Sequence, residues 1–320
     1  MLYWIGAIFV AFAAALTAGP LVIPGLQKLK FGQVIRAEGP QWHEKKMGTP
    51  TMGGAIFIIG VLISCFVFMK SFNPATVALL ILVMGNALIG LADDLISVLK
   101  KRNMGLRSWQ KLALQFLIAC IVGVFIIRHF GSVLRLPFTS ETVELGWWYL
   151  PILVFAIVGT VNSTNLTDGL DGLLGGTALV YFAVFTIILV LFPDLGNHDQ
   201  IVFSAAMLGG LLGFLCFNVY PARVFMGDFG SLMIGGAVVW MAISTGLTLW
   251  LPVMGGVFAA SSVSDILQVG SYKLRGKRIF KMAPLHHHFE MKGIPETKIV
   301  SMYIIVTTLL CLAGLAAIKV

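Results

Sequence analysis

Ten predominantly apolar runs of roughly 20 residues limit what this chain can fold into, because about 20 helical residues at 1.5 Å each match the ~30 Å hydrocarbon core of a bilayer. They fall near residues 2–26, 52–69, 75–94, 109–130, 149–166, 172–192, 201–219, 231–250, 252–270 and 299–318. The runs are continuous rather than alternating, and about twice as long as a barrel strand needs, so helices are predicted. Of the 320 residues 58% are apolar and only 11% charged. Soluble domains carry about 25% charged residues, so a water-soluble fold is excluded. Disorder is excluded by the same balance. The predicted architecture is an all-α integral membrane protein, one ten-helix domain over residues 1–320. Cys65, Cys120, Cys216 and Cys311 stand singly in apolar runs and read as packing residues rather than a disulfide or metal framework.

Orientation follows from the connections. Loops 27–50, 95–108, 166–171, 220–230 and 271–298 hold 17 Lys and Arg residues, against Lys70, Arg128, Arg135 and Lys319 on the other side. The richer side is predicted to be cytoplasmic, which places both termini outside. The net charge of +8 records this bias, and no nucleic-acid partner is expected. The second half of the ninth run, Ser261-Ser262-Val263-Ser264-Asp265, is too polar for lipid, so the ninth helix is predicted to kink, leave the bundle or face a wet cleft. On the outer side, residues 132–146 suggest a small hairpin running into an interfacial anchor at Trp147-Trp148-Tyr149.

Ten of the 14 acidic residues map to the cytoplasmic side, and the positive-inside bias gives no reason for that. Asp93 and Asp94 close the third run, at the depth where an acid is costly and is placed for use. Adjacent helical residues point about 100° apart, so one could orient a partner while the other meets a substrate. The fifth run ends in Asn162-Ser163-Thr164-Asn165-Leu166-Thr167-Asp168-Gly169-Leu170-Asp171-Gly172. Asn162 and Asn165, like Asp168 and Asp171, are three apart and are predicted to share a helical face. Gly169, with Leu170 beside it, lets the backbone approach a polar ligand closely. Asp228, in Phe225-Met226-Gly227-Asp228, lies at the start of the eighth run, where a carboxylate with open coordination room suits Mg²⁺. Asn218 lies a few residues upstream.

The last cytoplasmic loop carries His286-His287-His288 within a basic segment. Consecutive side chains diverge, so phosphate or sugar binding is favoured over a zinc site. Lys46 precedes the Gly- and Thr-rich entry to the second run. Acids, amides, lysines and histidines gathered at one cytoplasmic-facing cleft suit metal-assisted phosphoryl transfer between a nucleotide-linked donor and a lipid phosphate. A lipid or ion transporter, the alternative from another class, would place its ionisable residues near the midplane.

At these positions the chain resembles the polyprenyl-phosphate sugar-1-phosphate transferases. The resemblance rests on Lys46 with Gly48-Thr49-Pro50-Thr51-Met52-Gly53-Gly54, on Ala92-Asp93-Asp94, on Asn165 through Gly172, on Phe225 through Asp228, and on Lys281-Met282-Ala283-Pro284-Leu285-His286-His287-His288-Phe289-Glu290. The first and last of these are specific to the muramoyl branch, and a branch that uses UDP-N-acetylglucosamine should lack the histidine segment. The resemblance implies transfer of phospho-N-acetylmuramoyl-pentapeptide from its UDP carrier to undecaprenyl phosphate, giving lipid I and UMP, with Mg²⁺ required. It implies a multi-pass protein of the bacterial inner membrane, a homodimer, a cytoplasmic active site and binding of nucleoside inhibitors. Carried over by position, Asp228 is the metal ligand and Asp93 aligns or deprotonates the lipid phosphate, with Asp94 beside it. Lys46, Asn165, Asp168, Asp171, Asn218 and Phe225 form the nucleoside side, Phe225 as the stacking ring, and His286, His287 and His288 the histidine loop. Two positions depart from the family. Ser97 stands where a lysine is common, which moves any diphosphate contact to Lys100 or Lys101, and Phe229 follows the metal Asp in place of a small or β-branched residue.

Overall fold

The computed structural model describes residues 2–28, 48–100 and 105–318; Lys46 and Lys101 lie outside them. Among the described residues the chain forms α1 (Tyr3–Lys28), α2 (Gly54–Phe68), α3 (Pro74–Leu99), α4 (Ser108–Phe130), β1 (Val133–Arg135), β2 (Thr142–Glu144), α5 (Tyr149–Thr167), α6 (Leu173–Leu191), α7 (His198–Asn218), α8 (Gly227–Ser244), α9 (Leu251–Met254), α10 (Gly256–Arg275), α11 (Leu285–Glu290) and α12 (Glu296–Ala316). The chain is an all-α membrane protein apart from the one short hairpin. Eight helices are long and apolar enough to cross a bilayer, namely α1, α3, α4, α5, α6, α7, α8 and α12. Helix α9 with the turn before it joins α10 as a pair bent by 78°. Helix α2 has 15 residues, about 22 Å at the helical rise, which is short of a full crossing.

Helix α8 is the axis of the bundle. It is buried from Gly230 to Ile243 and packs against α3, α5, α2 and α6. Between helices in lipid, close packing and not water exclusion supplies the attraction, so small residues collect at the contacts. Ala7, Ala11, Ala15 and Ala18 make the buried stripe of α1 that receives α7. Gly90 serves the same end at the functional end of the bundle. A Cβ there would collide with the backbone carbonyl of Asp228, so only glycine lets α3 lie against the first turn of α8.

Several boundaries differ from the sequence expectation, and each shift matters for the site. Helix α3 continues five residues past Asp94 to Leu99, so the acid pair lies inside the helix and not at its end. Helix α5 stops at Thr167, and Asp168 to Asp171 form turns. Asp168 and Asp171 therefore do not share a helical face. Helix α8 begins at Gly227 and not at 231, which takes Asp228 into its first turn, and it ends at Ser244; Thr248–Trp250 is a separate 3-10 turn.

The polar half of the predicted ninth helix is explained by its neighbours. Thr167 Oγ1 donates to Ser261 Oγ at 3.0 Å, Ser163 and Ser262 share a bond of 2.8 Å, and the Leu285 N–H donates to Ser264 Oγ at 3.0 Å. These hydroxyls fasten α10 to α5 and to the start of α11, which keeps them out of lipid. On the opposite side β1 and β2 pair in the register Val133↔Glu144, Leu134↔Val143 and Arg135↔Thr142. Trp147 and Trp148 are exposed there. Tyr149 is not part of that anchor: it is buried, with its hydroxyl 2.8 Å from Thr248 Oγ1.

Candidate active site

The acids of α3 and α8 meet. One carboxylate oxygen from each of Asp93, Asp94 and Asp228 lies within 4.8 Å of the other two. Two belong to α3 and one to α8, and Gly90, one turn before the pair, sets the distance between those helices.

Each acid is used differently. Both oxygens of Asp94 accept backbone N–H groups, from Asp228 at 3.2 Å and Phe229 at 3.0 Å. The first turn of any helix has N–H groups without intrahelical partners, and here a carboxylate from another helix satisfies two of them and meets the positive end of the dipole. Asp94 thus holds the backbone that carries Asp228. Asp93 Oδ1 accepts the Leu106 N–H at 2.8 Å, which ties the segment before α4 to the site. Asp228 Oδ1 accepts from Asn165 Nδ2 at 2.8 Å, and the same amide donates to Ser231 Oγ at 2.9 Å.

The fourth member was missed in the sequence. Lys111, in the first turn of α4, donates from Nζ to Asp228 Oδ2 at 2.6 Å and lies 3.4 Å from Asp93 Oδ1. The diphosphate contact expected at Lys100 or Lys101 thus has a further candidate: Lys100 is exposed at the end of α3, while Lys111 sits among the acids. One signal for it was available. When the 22 basic residues are divided between the loops of the two sides, Lys111 is the one left over, inside an apolar run.

Three carboxylates and one ammonium leave a formal charge of −2 in a small volume. Like charges held this close favour a bound cation. The donors are hard oxygens, the set that Mg²⁺ prefers, and the Lys111 ammonium already bridges Asp93 and Asp228 as a cation would. The residues fit a divalent ion held by Asp228.

The amide- and acid-rich run after α5 fans out over several neighbours. Asn162 turns toward α4, donating to Gln115 Oε1 at 2.7 Å, while Asn165 turns toward α8. Asp171 Oδ2 accepts the Ala222 N–H at 3.0 Å, and Glu296 Oε1 accepts the Asp171 N–H at 2.7 Å. Asn218 accepts from the Gly172 N–H and donates to the Val224 carbonyl. Asn218 and Asp171 therefore tie the 168–172 turns to the segment before α8. Leu170 is buried with Leu173, Val257, Ile299 and Tyr303. That segment is also held from the other side, since the Phe225 N–H donates to the Pro50 carbonyl and the Gly53 N–H to the Phe225 carbonyl, both at 2.8 Å. The Gly- and Thr-rich stretch before α2 is thus the support on which half-buried Phe225 rests.

Asp168 is half-buried between these layers. Desolvation, together with the charges of Asp228, Asp94 and Asp171, pushes its carboxyl up to about 8. An acid whose pKa is higher folded than unfolded favours the folded state below its unfolded value near 4, and that contribution is lost as pH rises toward about 8. Asp168→Asn, which mimics the protonated form, is therefore expected to raise the unfolding midpoint relative to the parent by more at pH 8.5 than at pH 5. An equal change at both values would place Asp168 in open solvent.

The three histidines open α11 with three separate anchors. His286 is fully buried over Gly169, where a Cβ would collide with its Nε2. His287 Nδ1 is 2.6 Å from Glu290 Oε2. His288 Nδ1 accepts the Lys281 N–H at 3.0 Å, and desolvation, with Lys292 and Lys281 adding, holds its pKa below the usual value. They do not converge as a metal set. Gly169→Ala is expected to displace His286 and α11, lowering stability by about 1–3 kcal/mol as an overpacked contact and lowering activity with it. A parental unfolding midpoint would show that α11 is not seated on this turn.

Comparison with known proteins decides the family. Residues 76–246, which span α3 to α8, match the family described as Glycosyl transferase family 4. The chain is 50% identical over 298 residues to the phospho-N-acetylmuramoyl-pentapeptide-transferase of Thermoanaerobacter sp. (strain X514), covering 93% of each. It is 46% identical over 309 residues to the enzyme of that name from Clostridium novyi (strain NT), covering 96% of this chain and 94% of the relative. The Bacillus subtilis (strain 168) enzyme of that name is 46% identical over 312 residues, with 96% and 95% covered. The chain belongs to the phospho-N-acetylmuramoyl-pentapeptide-transferase family. It is a transferase, and the Asp93, Asp94, Asp228 and Lys111 cluster lies within the segment shared with the broader glycosyl transferase family.

Proposed function

We propose that the chain moves phospho-N-acetylmuramoyl-pentapeptide from its UDP carrier to undecaprenyl phosphate, forming lipid I and UMP, the first membrane step of peptidoglycan synthesis. The observation that carries this reading is the meeting of Asp93 of α3, Asp228 of α8 and Lys111 of α4, in a chain so similar to transferases of that name. In the reaction an oxygen of the lipid phosphate attacks the sugar-bearing phosphorus of the donor, and the bond to UMP breaks. No covalent chemistry is asked of the protein beyond positioning and charge compensation.

Asp93 aligns the lipid phosphate and takes its proton where one is present. Lys111 compensates charge on the diphosphate, the task a lysine at position 97 would otherwise share. Asp94 positions Asp228 through the backbone of α8. Mg²⁺, held by Asp228, would neutralise the diphosphate and the departing UMP. Phe225 stacks on uracil, with Asn165, Asp168 and Lys46 on the nucleoside side, while Asp171, Asn218 and Asn162 hold the walls. The half-buried His287 and His288 would face the phosphates and sugar of the donor, while fully buried His286 packs against Gly169.

The distribution of basic residues supports ten spans, counting α2 and the bent α9–α10 pair, with both termini outside and the site on the cytoplasmic side of a bacterial inner membrane. A homodimer and nucleoside inhibitors belong to the same proposal. Protein reconstituted with the UDP-linked muramoyl pentapeptide and undecaprenyl phosphate should release UMP only when Mg²⁺ is present. No UMP from folded protein would end this reading, and release with UDP-N-acetylglucosamine alone would move the chain to another branch.

A further inference from the structure

Helix α4 carries Lys111 into the site, yet much of its own surface is uncovered. Trp109, Leu112, Phe116 and Leu117 are exposed, and its buried residues are Gln115, Ala119, Val122, Gly123 and Ile126. Gln115, the one polar residue among those five, is fully buried and accepts at Oε1 from Asn162 Nδ2 of α5 at 2.7 Å. The direction of this bond is fixed from behind. The same Asn162 amide donates to the Val158 carbonyl at 2.8 Å, and a carbonyl can only accept, so Gln115 must present its oxygen. Nε2 of Gln115 finds no partner among the described residues, a cost that an apolar side chain would not carry. The amide is therefore a poor source of stability, and what it supplies is geometry. Gln115 lies about one turn beyond Lys111 on α4, and Asn162 about one turn before Asn165 on α5, so each pair shares a helical face. Lys111 and Asn165 are the two groups that hold the two oxygens of Asp228, at 2.6 and 2.8 Å.

We propose that Gln115 is a positioning residue, whose bond to Asn162 fixes how α4 is rotated against α5 and so delivers Lys111 to Asp228 and Asp93. This rests on the transferase reading for the reaction, though the placing of Lys111 stands without it. Helix α5 is anchored independently, since it packs on α8 and Asn165 also bonds Ser231 Oγ. The start of α4 is tied at one point, by the Leu106 N–H on Asp93, which leaves rotation about that point. Apolar side chains restrain it little, because the surrounding lipid is as apolar as they are, whereas a hydrogen bond between helices selects one arrangement. The bond at Gln115 is that second point.

The test uses the full-length protein in lipid nanodiscs. Gln115→Leu removes the bond together with the unpaired N–H, so the unfolding midpoint should stay near the parental value. Its kcat should fall about 10-fold, the cost of a misplaced charged group, with nucleotide affinity changed less than about threefold. Acylation of Lys111 by a water-soluble amine reagent, followed by peptide mass spectrometry, should become several-fold faster, with Lys100 unchanged as the control. Exchanging the amides, Gln115→Asn with Asn162→Gln, keeps the combined reach of the pair and should recover most of the rate that each single variant loses. Parental kcat in Gln115→Leu overturns the proposal, as does unchanged Lys111 reactivity, which would make any lost activity a matter of stability. If Gln115→Leu does not fold, the amide exchange decides alone, and a double variant no better than the single ones overturns the proposal. A Lys111 that is slow in the parent and fast in Gln115→Leu, in a protein that yields no UMP, would instead refute the transferase reading.

Discussion

Asp228→Ala is expected to lower turnover at least about 10³-fold, a loss of roughly 4 kcal/mol of transition-state stabilisation, while the protein stays folded. The reason is how Asp228 is held. Its backbone N–H is fixed by Asp94, so the first turn of α8 does not need the side chain to form. Its two oxygens meet Lys111 and Asn165, and both partners keep another contact when it is removed, Lys111 with Asp93 and Asn165 with Ser231. No buried charge is stranded, so the fold is expected to keep its stability while the site loses the carboxylate proposed to hold a cation. UMP release across a Mg²⁺ titration, set beside the unfolding midpoint, checks this. Turnover near the parental level at any Mg²⁺ concentration would remove Asp228 from the chemistry.

The second large effect is expected at Asp93. Asp93→Asn keeps the shape of the side chain, and its Oδ1 can still accept the Leu106 N–H. What it loses is the negative charge beside Lys111 and the capacity to take a proton. If Asp93 acts on the lipid phosphate, kcat should fall at least about 100-fold with the nucleotide dissociation constant changed less than threefold, the signature of an interaction made in the transition state alone. A change confined to nucleotide affinity would move Asp93 to the donor-binding set.

The acid pair and Asp228, which the structure brings together, drew attention in the sequence because each breaks a rule of its surroundings, as the histidine segment also does. The acids stand against the apolar runs, and the histidine triplet stands in a loop rich in basic residues. Lys111 was missed because a lysine in the first turn of a span is close to the positive-inside pattern, and its one signal, that it falls in neither set of loops, is weak. Asn218 and Asp171 read as ligand-binding groups because nothing local shows that their hydrogen bonds are taken by Gly172, Val224 and Ala222. The shared face expected for Asp168 and Asp171 failed because the helix stops at Thr167, one residue before Asp168. The serines of the ninth run were recognised as unfit for lipid, but their partners Thr167, Ser163 and Leu285 lie about 20 to 100 residues away in the chain.

By itself the amino-acid sequence determined the solvent and the helical class, because apolar run length is a local property that the bilayer reads directly. The family is legible there too, in short ordered motifs. Which side chains touch was decided only by tertiary structure. Contact between residues of different helices depends on how each helix is rotated and how closely it approaches its neighbour, and both are set by packing such as the fit of Gly90 against the first turn of α8. That packing brings Lys111 between two acids, turns Asp94 into the cap of another helix, and gives neighbouring histidines unlike partners.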